Sequence, residues 1–152
     1  MNVTQSSTIL QDAEALQDVL TRYIDSRDGY QQAAELMPDI ELTHTFLNIA
    51  ERREKIAGRF AEMIQGDGKR PDVNGSPEAG IHRWWIRVRD TLAPDETHAI
   101  VEECLRGEKE LSRTLQRALE GGYLSEDHMP LIEEALSEVN VAIQAFEVVA
   151  EN

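Results

Sequence analysis

DIELTHTFLNIAERREKIAGRFAEMIQG, residues 39–66, repeats an apolar residue every three or four positions. Leu42, Phe46, Ile49, Ile56, Phe60 and Ile64 carry the pattern, which places them on one stripe of an α-helix. Asp39 stands where an N-cap or first-turn acid belongs, and Gly66 and Gly68 close the run. One charged residue, Arg53, lies squarely on the apolar stripe.

The same periodicity continues on both sides. Upstream, residues 8–36 place Ile9, Ala13, Leu16, Leu20, Ile24 and Ala34 at helical spacing. Gly29 is a tolerated interruption, and Pro38 forces the end, because the residue before a proline is pushed out of helical geometry. Almost no loop separates this helix from the next, so the two are antiparallel neighbours. Downstream, residues 66–75 are rich in Gly, Asp, Asn, Lys and Pro and read as a surface connection. Ser76, Pro77 and Glu78 resemble an N-cap, an N1 proline and a first-turn acid, opening a short helix over about 77–92 that carries His82, Trp84 and Trp85. A third long helix spans about 95–120, with Ile100, Cys104, Gly107, Leu111, Leu115 and Ala118 on one side. A fourth spans about 125–151, with Ile132, Ala135, Leu136, Val139, Ile143, Phe146 and Ala150. The expected fold is all-α: a single domain over residues 1–152, an antiparallel four-helix bundle of ferritin-like arrangement, with the short helix in the long second-to-third crossover. A simple up-down bundle with a capping helix is the alternative topology.

Composition narrows the function. Hydrophobic residues make up 41%, enough for a packed globular core. The net charge of −14 argues against nucleic acid, whose phosphates need clustered Lys and Arg, and against anionic membrane surfaces. No run approaches the roughly 18 apolar residues of a membrane span. The N-terminus lacks a signal-peptide pattern, so the expected location is cytoplasmic. Cys104 is the single cysteine, and its apolar neighbours mark it as a buried, inert thiol.

Several stretches carry a resemblance. Asp28, Gly29 and Tyr30 lead to Ala33, Ala34 and Glu35; Ala50, Glu51, Arg52 and Arg53 follow in the second helix. Residues 80–85, residues 98–104, and Arg106, Gly107 and Glu108 complete the set. In order and spacing these are similar to a bacterial, mostly proteobacterial family of ferritin-like four-helix-bundle proteins of unknown function, over about residues 10–147. The resemblance implies the fold. Ferritin-like relatives in the wider sense often bind two iron ions, which makes a metal site the hypothesis to test. Family members usually carry a His in the last helix; the corresponding stretch here is Asn140 to Ile143, with an aliphatic residue in its place.

A di-iron carboxylate site needs a Glu from each of two helices and a Glu-x-x-His from each of the other two, all pointing inward. Glu41 with His44 matches that spacing, and Asp95 with His98 is an Asp version. Counting about 100° per residue places His44 opposite its helix's apolar stripe and His98 well off its own, so both read as surface histidines. His128 reads as a helix-end residue and His82 as a packing residue. The polar residues expected to face inward are Arg27, Gln31 and Arg53, with Glu108 at the edge of the apolar side of the third helix and Asp28 and Glu35 flanking that of the first. A buried guanidinium needs a carboxylate partner, so the expectation is an internal Arg–carboxylate network. The alternative is an iron or manganese site built from Glu35, Glu103 and Glu108. Trp84 and Trp85 read as residues that dock the crossover helix on the bundle, with a candidate partner surface as the alternative, since tryptophan is enriched at interfaces. Gly107, counted on the inward side, is expected to allow close helix approach. The reading is a non-enzymatic interaction or stress-associated protein without a cofactor, homo-oligomeric or bound to a protein partner. A metal-binding ferritin-like protein is the alternative.

Overall fold

The computed structural model describes residues 3–76 and 97–151, with side chains from residue 11 onward. Among these residues there are four long helices and no strand: α1 (Val3–Leu36), α2 (Ile40–Gly66), α3 (Thr97–Glu120) and α4 (Met129–Glu151). The short helix expected over 77–92, with Trp84 and Trp85, and residue Asp95 lie outside the described residues.

Local chemistry sets the helix ends. Asp39 has extended backbone geometry and its side chain accepts from the Leu42 N–H at 3.0 Å, satisfying one of the orphan donors of α2. At the other end Gly68 takes φ +80°, which lets its own N–H reach the Gln65 carbonyl and the Lys69 N–H reach the Ile64 carbonyl. These two bonds form a Schellman closure. The fourth helix begins at Met129 instead of the expected Ser125. Pro130 is the reason: it lacks an N–H and clashes with the preceding turn, so it fits the first turn and not the interior.

Two apolar clusters fix the directions of the helices. One joins Tyr30, Ala33 and Met37 at the end of α1 with Phe46 and Ile49 at the start of α2, Ile100 and Val101 at the start of α3, and Phe146 near the end of α4. The other joins Leu16 to Ile24 of α1, Ile56 to Ile64 of α2, Leu111 and Leu115 of α3, and Leu131 to Val139 of α4. Helices α1 and α4 therefore run one way and α2 and α3 the other. Asp67 and Thr97 stand at opposite ends of the molecule. An up-down bundle would make α2 and α3 antiparallel, whereas here the two run the same way. The first part of the connection is laid along α1: Asp72 exchanges two hydrogen bonds with Gln17, and Ser76 donates from both N–H and Oγ to Asp25.

The buried positions repeat every seven residues, as in helices that coil around one another. Leu16, Tyr23 and Tyr30 line α1, with Met37 continuing the column one residue past its end, and Phe46, Arg53 and Phe60 line α2. Val101, Glu108 and Leu115 line α3, and Ile132, Val139 and Phe146 line α4. Between the two apolar clusters, these columns bring a polar layer to the middle of the bundle.

Candidate functional site

The central layer is built around Arg53 and Glu108, each 1% exposed. Arg53 Nη2 donates to Glu108 Oε2 at 2.9 Å, and the Tyr30 hydroxyl donates to Glu108 Oε1 at 2.6 Å. Both carboxylate oxygens are thus engaged. The guanidinium carbon sits 5.6 Å from the ring centroid of Tyr23 and 5.9 Å from that of Tyr30, within cation–π range. Glu138 of α4 approaches Arg53 Nε at 4.0 Å from a part-exposed position. Three buried donors, Arg53 Nε, Arg53 Nη1 and Tyr23 Oη, find no hydrogen-bond partner among the described residues.

The electrostatics follow from burial and pairing. Burial alone would lower the pKa of Arg53, but the Glu108 carboxylate together with Tyr30 and Tyr23 outweighs it and the net shift is upward. Burial pushes both phenols up, with the negative charge of Glu108 adding to the effect on Tyr30. Burial also pushes the Cys104 thiol up, so it is no thiolate nucleophile.

The other residues of the expected network lie elsewhere. Arg27 is part-exposed and pairs with Asp28 at 2.9 Å and Glu54 at 3.6 Å. Gln31 and Glu35 face solvent. The helical count on α1, stepped in fours from Leu16, drifts off the seven-residue column that selects Tyr23 and Tyr30. Glu103 is engaged by the exposed Arg106 and not by the core. Glu35, Glu103 and Glu108 do not converge: among the described residues they form no group of ligand atoms close enough for one ion. The donor set of the central layer does not fit a di-iron site either, since a guanidinium occupies the place where carboxylates and imidazoles would have to meet. Gly107 is exposed, and a Cβ there would meet nothing within 4 Å, so it mediates no close approach. His44 and His98 are exposed, His98 beside Glu102 at 2.9 Å.

A second polar group stands at the far end of the bundle and was not legible in the sequence. His128, in the turn before α4, is 7% exposed, and Asp12 of α1 is 8% exposed. His128 Nδ1 lies 3.1 Å from Asp12 Oδ2, and Nε2 lies 3.4 Å from Oδ2 of Asp67, the C-cap residue of α2. The three residues come from segments 55 and 61 positions apart, and no local pattern signals that they meet.

A search of curated proteins finds no match to the chain. A family profile does match, over residues 11–121, which includes Asp12, Asp67, Arg53, Tyr30 and Glu108. With most of its length, including Tyr23, Tyr30, Arg53 and Glu108, covered by that profile, the chain belongs to the family described as a domain of unknown function (DUF2383).

Proposed function

We propose that this protein is a non-enzymatic, ferritin-like bundle that acts through its surface as a bacterial interaction or stress-associated protein, and that it self-associates. The observation that carries the reading is the buried Arg53–Glu108 pair. In a metal-handling bundle the central layer supplies several unpaired carboxylates. Here the central carboxylate is neutralised by Arg53 and its second oxygen is bonded to Tyr30. A cation placed there would meet a guanidinium that cannot lose its charge. The parallel run of α2 and α3 supports the ferritin-like assignment, because one long crossover distinguishes that arrangement. The stress association rests on that fold analogy alone.

Exposed apolar residues support self-association. Val141 and Val148 are 65% and 61% exposed, and with Ala145 and Val149 they form a stripe at helical spacing on α4. Size-exclusion chromatography with light scattering tests the reading. The expected result is an oligomer that a Val141→Glu, Val148→Glu variant converts to monomer. A wild-type monomer at every concentration overturns self-association. Iron or manganese at about two ions per chain, unaffected by substituting Asp67, overturns the non-enzymatic reading in favour of the core metal site.

A further inference from the structure

We infer that Asp12, Asp67 and His128 form a binding site for one divalent transition-metal ion of the zinc class, which fastens α1, α2 and the start of α4 at one end of the bundle. The three donors, one from each residue, all lie within 4.8 Å of one another. An ion about 2.0–2.2 Å from each of several nitrogen and oxygen ligands holds adjacent donors about 3–3.6 Å apart. Asp12 Oδ2 lies 3.1 Å from His128 Nδ1, and Asp67 Oδ2 lies 3.4 Å from His128 Nε2, so each ring nitrogen has one carboxylate at that spacing. One ion takes one ring nitrogen, so closing the site turns one carboxylate around the ring toward the nitrogen that the other already faces, over donor separations of at most 4.8 Å.

A second observation is the state of His128 itself. Its side chain is 9% exposed, and Nδ1 is engaged by Asp12. Among the described residues Nε2 makes no hydrogen bond, although it lies 3.4 Å from a carboxylate oxygen. A ring nitrogen beside a carboxylate without a hydrogen bond between them is a gap that an ion fills. Backbone geometry holds the donors in place. Asp67 is fixed by N–H bonds to the Met63 and Ile64 carbonyls, His128 by its N–H bond to Ser125, and Asp12 by the interior of α1. The last carbonyls of α2 add partial negative charge beside Asp67.

The donor chemistry selects the ion. One imidazole and two carboxylates suit Zn²⁺, Fe²⁺ or Co²⁺ better than Mg²⁺ or Ca²⁺, which take oxygen ligands. Three protein ligands leave a position for water, and Asp67, with a third of its side chain exposed, opens the site to solvent. This site shares no residue with the central layer, so its occupancy is independent of Arg53.

The test is titration of metal-free protein with Zn²⁺ by calorimetry and with Co²⁺ by visible absorption, alongside thermal unfolding. Wild type is expected to bind about one ion per chain and to gain thermal stability from it. Asp67→Asn and His128→Gln should each lose at least the ~10–100-fold in affinity that even an outer partner is worth. The His44→Gln, His98→Gln variant should bind as wild type does. Asp67 is exposed, so Asp67→Asn decides the matter even if His128→Gln fails to fold. Equal affinity in wild type and Asp67→Asn, or binding lost with His44 and His98, overturns the site. So does absence of binding, which would leave His128 as a hydrogen-bonded clasp between two carboxylates.

Discussion

Arg53 and Glu108 stabilise the bundle only as a pair. Each is 1% exposed, so removing one leaves a buried charge without a counter-charge. Arg53→Leu is expected to cost about 3–5 kcal/mol, measured as a lower urea midpoint with an unchanged slope. Removing both charges is a different experiment. Arg53→Met with Glu108→Leu strands the Tyr30 hydroxyl, whose acceptor is Glu108, at a cost of about 1–3 kcal/mol. Adding Tyr30→Phe removes that donor, and the triple variant should return to wild-type stability or exceed it. A triple variant as unstable as Arg53→Leu would mean the charges contribute more than their own compensation. The two buried phenols make a separate prediction. Their folded pKa values stand above the ordinary 10.0, so the unfolded chain loses these protons first. Their contribution is whole below pH 10 and is lost as the pH rises through the raised folded values. An alkaline titration followed by phenolate absorbance should show Tyr23 and Tyr30 ionising together with loss of helical circular dichroism. Ionisation of both in the still-helical protein would contradict the burial.

The helices themselves were legible because long amphipathic runs bounded by Pro38, Asp39, Gly66 and Gly121 leave few alternatives. Arg53 was legible as inward because it sits between Phe46 and Phe60, seven residues from each. On α1 the count failed, since steps of four from Leu16 through Leu20 and Ile24 drift away from the seven-residue column. That column runs through Tyr23 and Tyr30, whose amphipathic rings a polarity count passes over. On α3 the same one-residue error placed Gly107 inward, when Glu108 occupies the buried column between Val101 and Leu115. The Asp12, Asp67 and His128 group was out of reach for another reason: it exists only once three distant segments pack. Gly107 gives the correction a direct test. A Cβ there meets nothing within 4 Å, and the residue lies in the interior of α3. Gly107→Ala should therefore stabilise the protein by about 0.5–1 kcal/mol, read from the urea midpoint. Gly58 in α2 has the same open surroundings and should respond alike. Destabilisation at Gly107 would restore the close approach that the sequence spacing suggested.

The protein as a whole carries 29 acidic against 15 basic side chains. Many of the exposed ion pairs are local, such as Arg22 with Asp18, Lys55 with Glu51 and Arg113 with Glu110, and such pairs contribute little each. The surplus charge of −14 is therefore left to repel itself across the surface. Salt screens exposed charges over about 10 Å at 0.1 M, while the Arg53–Glu108 pair in the core is shielded from it. Added NaCl should accordingly raise the urea midpoint, and it should raise it by the same amount in the triple core variant. The same repulsion opposes assembly, because two copies meeting at the α4 stripe bring two surpluses of like charge together. Apolar contact through Val141 and Val148 is then favoured by salt, whereas assembly through complementary charges would be weakened by it. Light scattering at increasing NaCl should show the mass rising toward the oligomer. A mass that falls with salt would place the contact on ion pairs instead and remove the α4 stripe from the assembly.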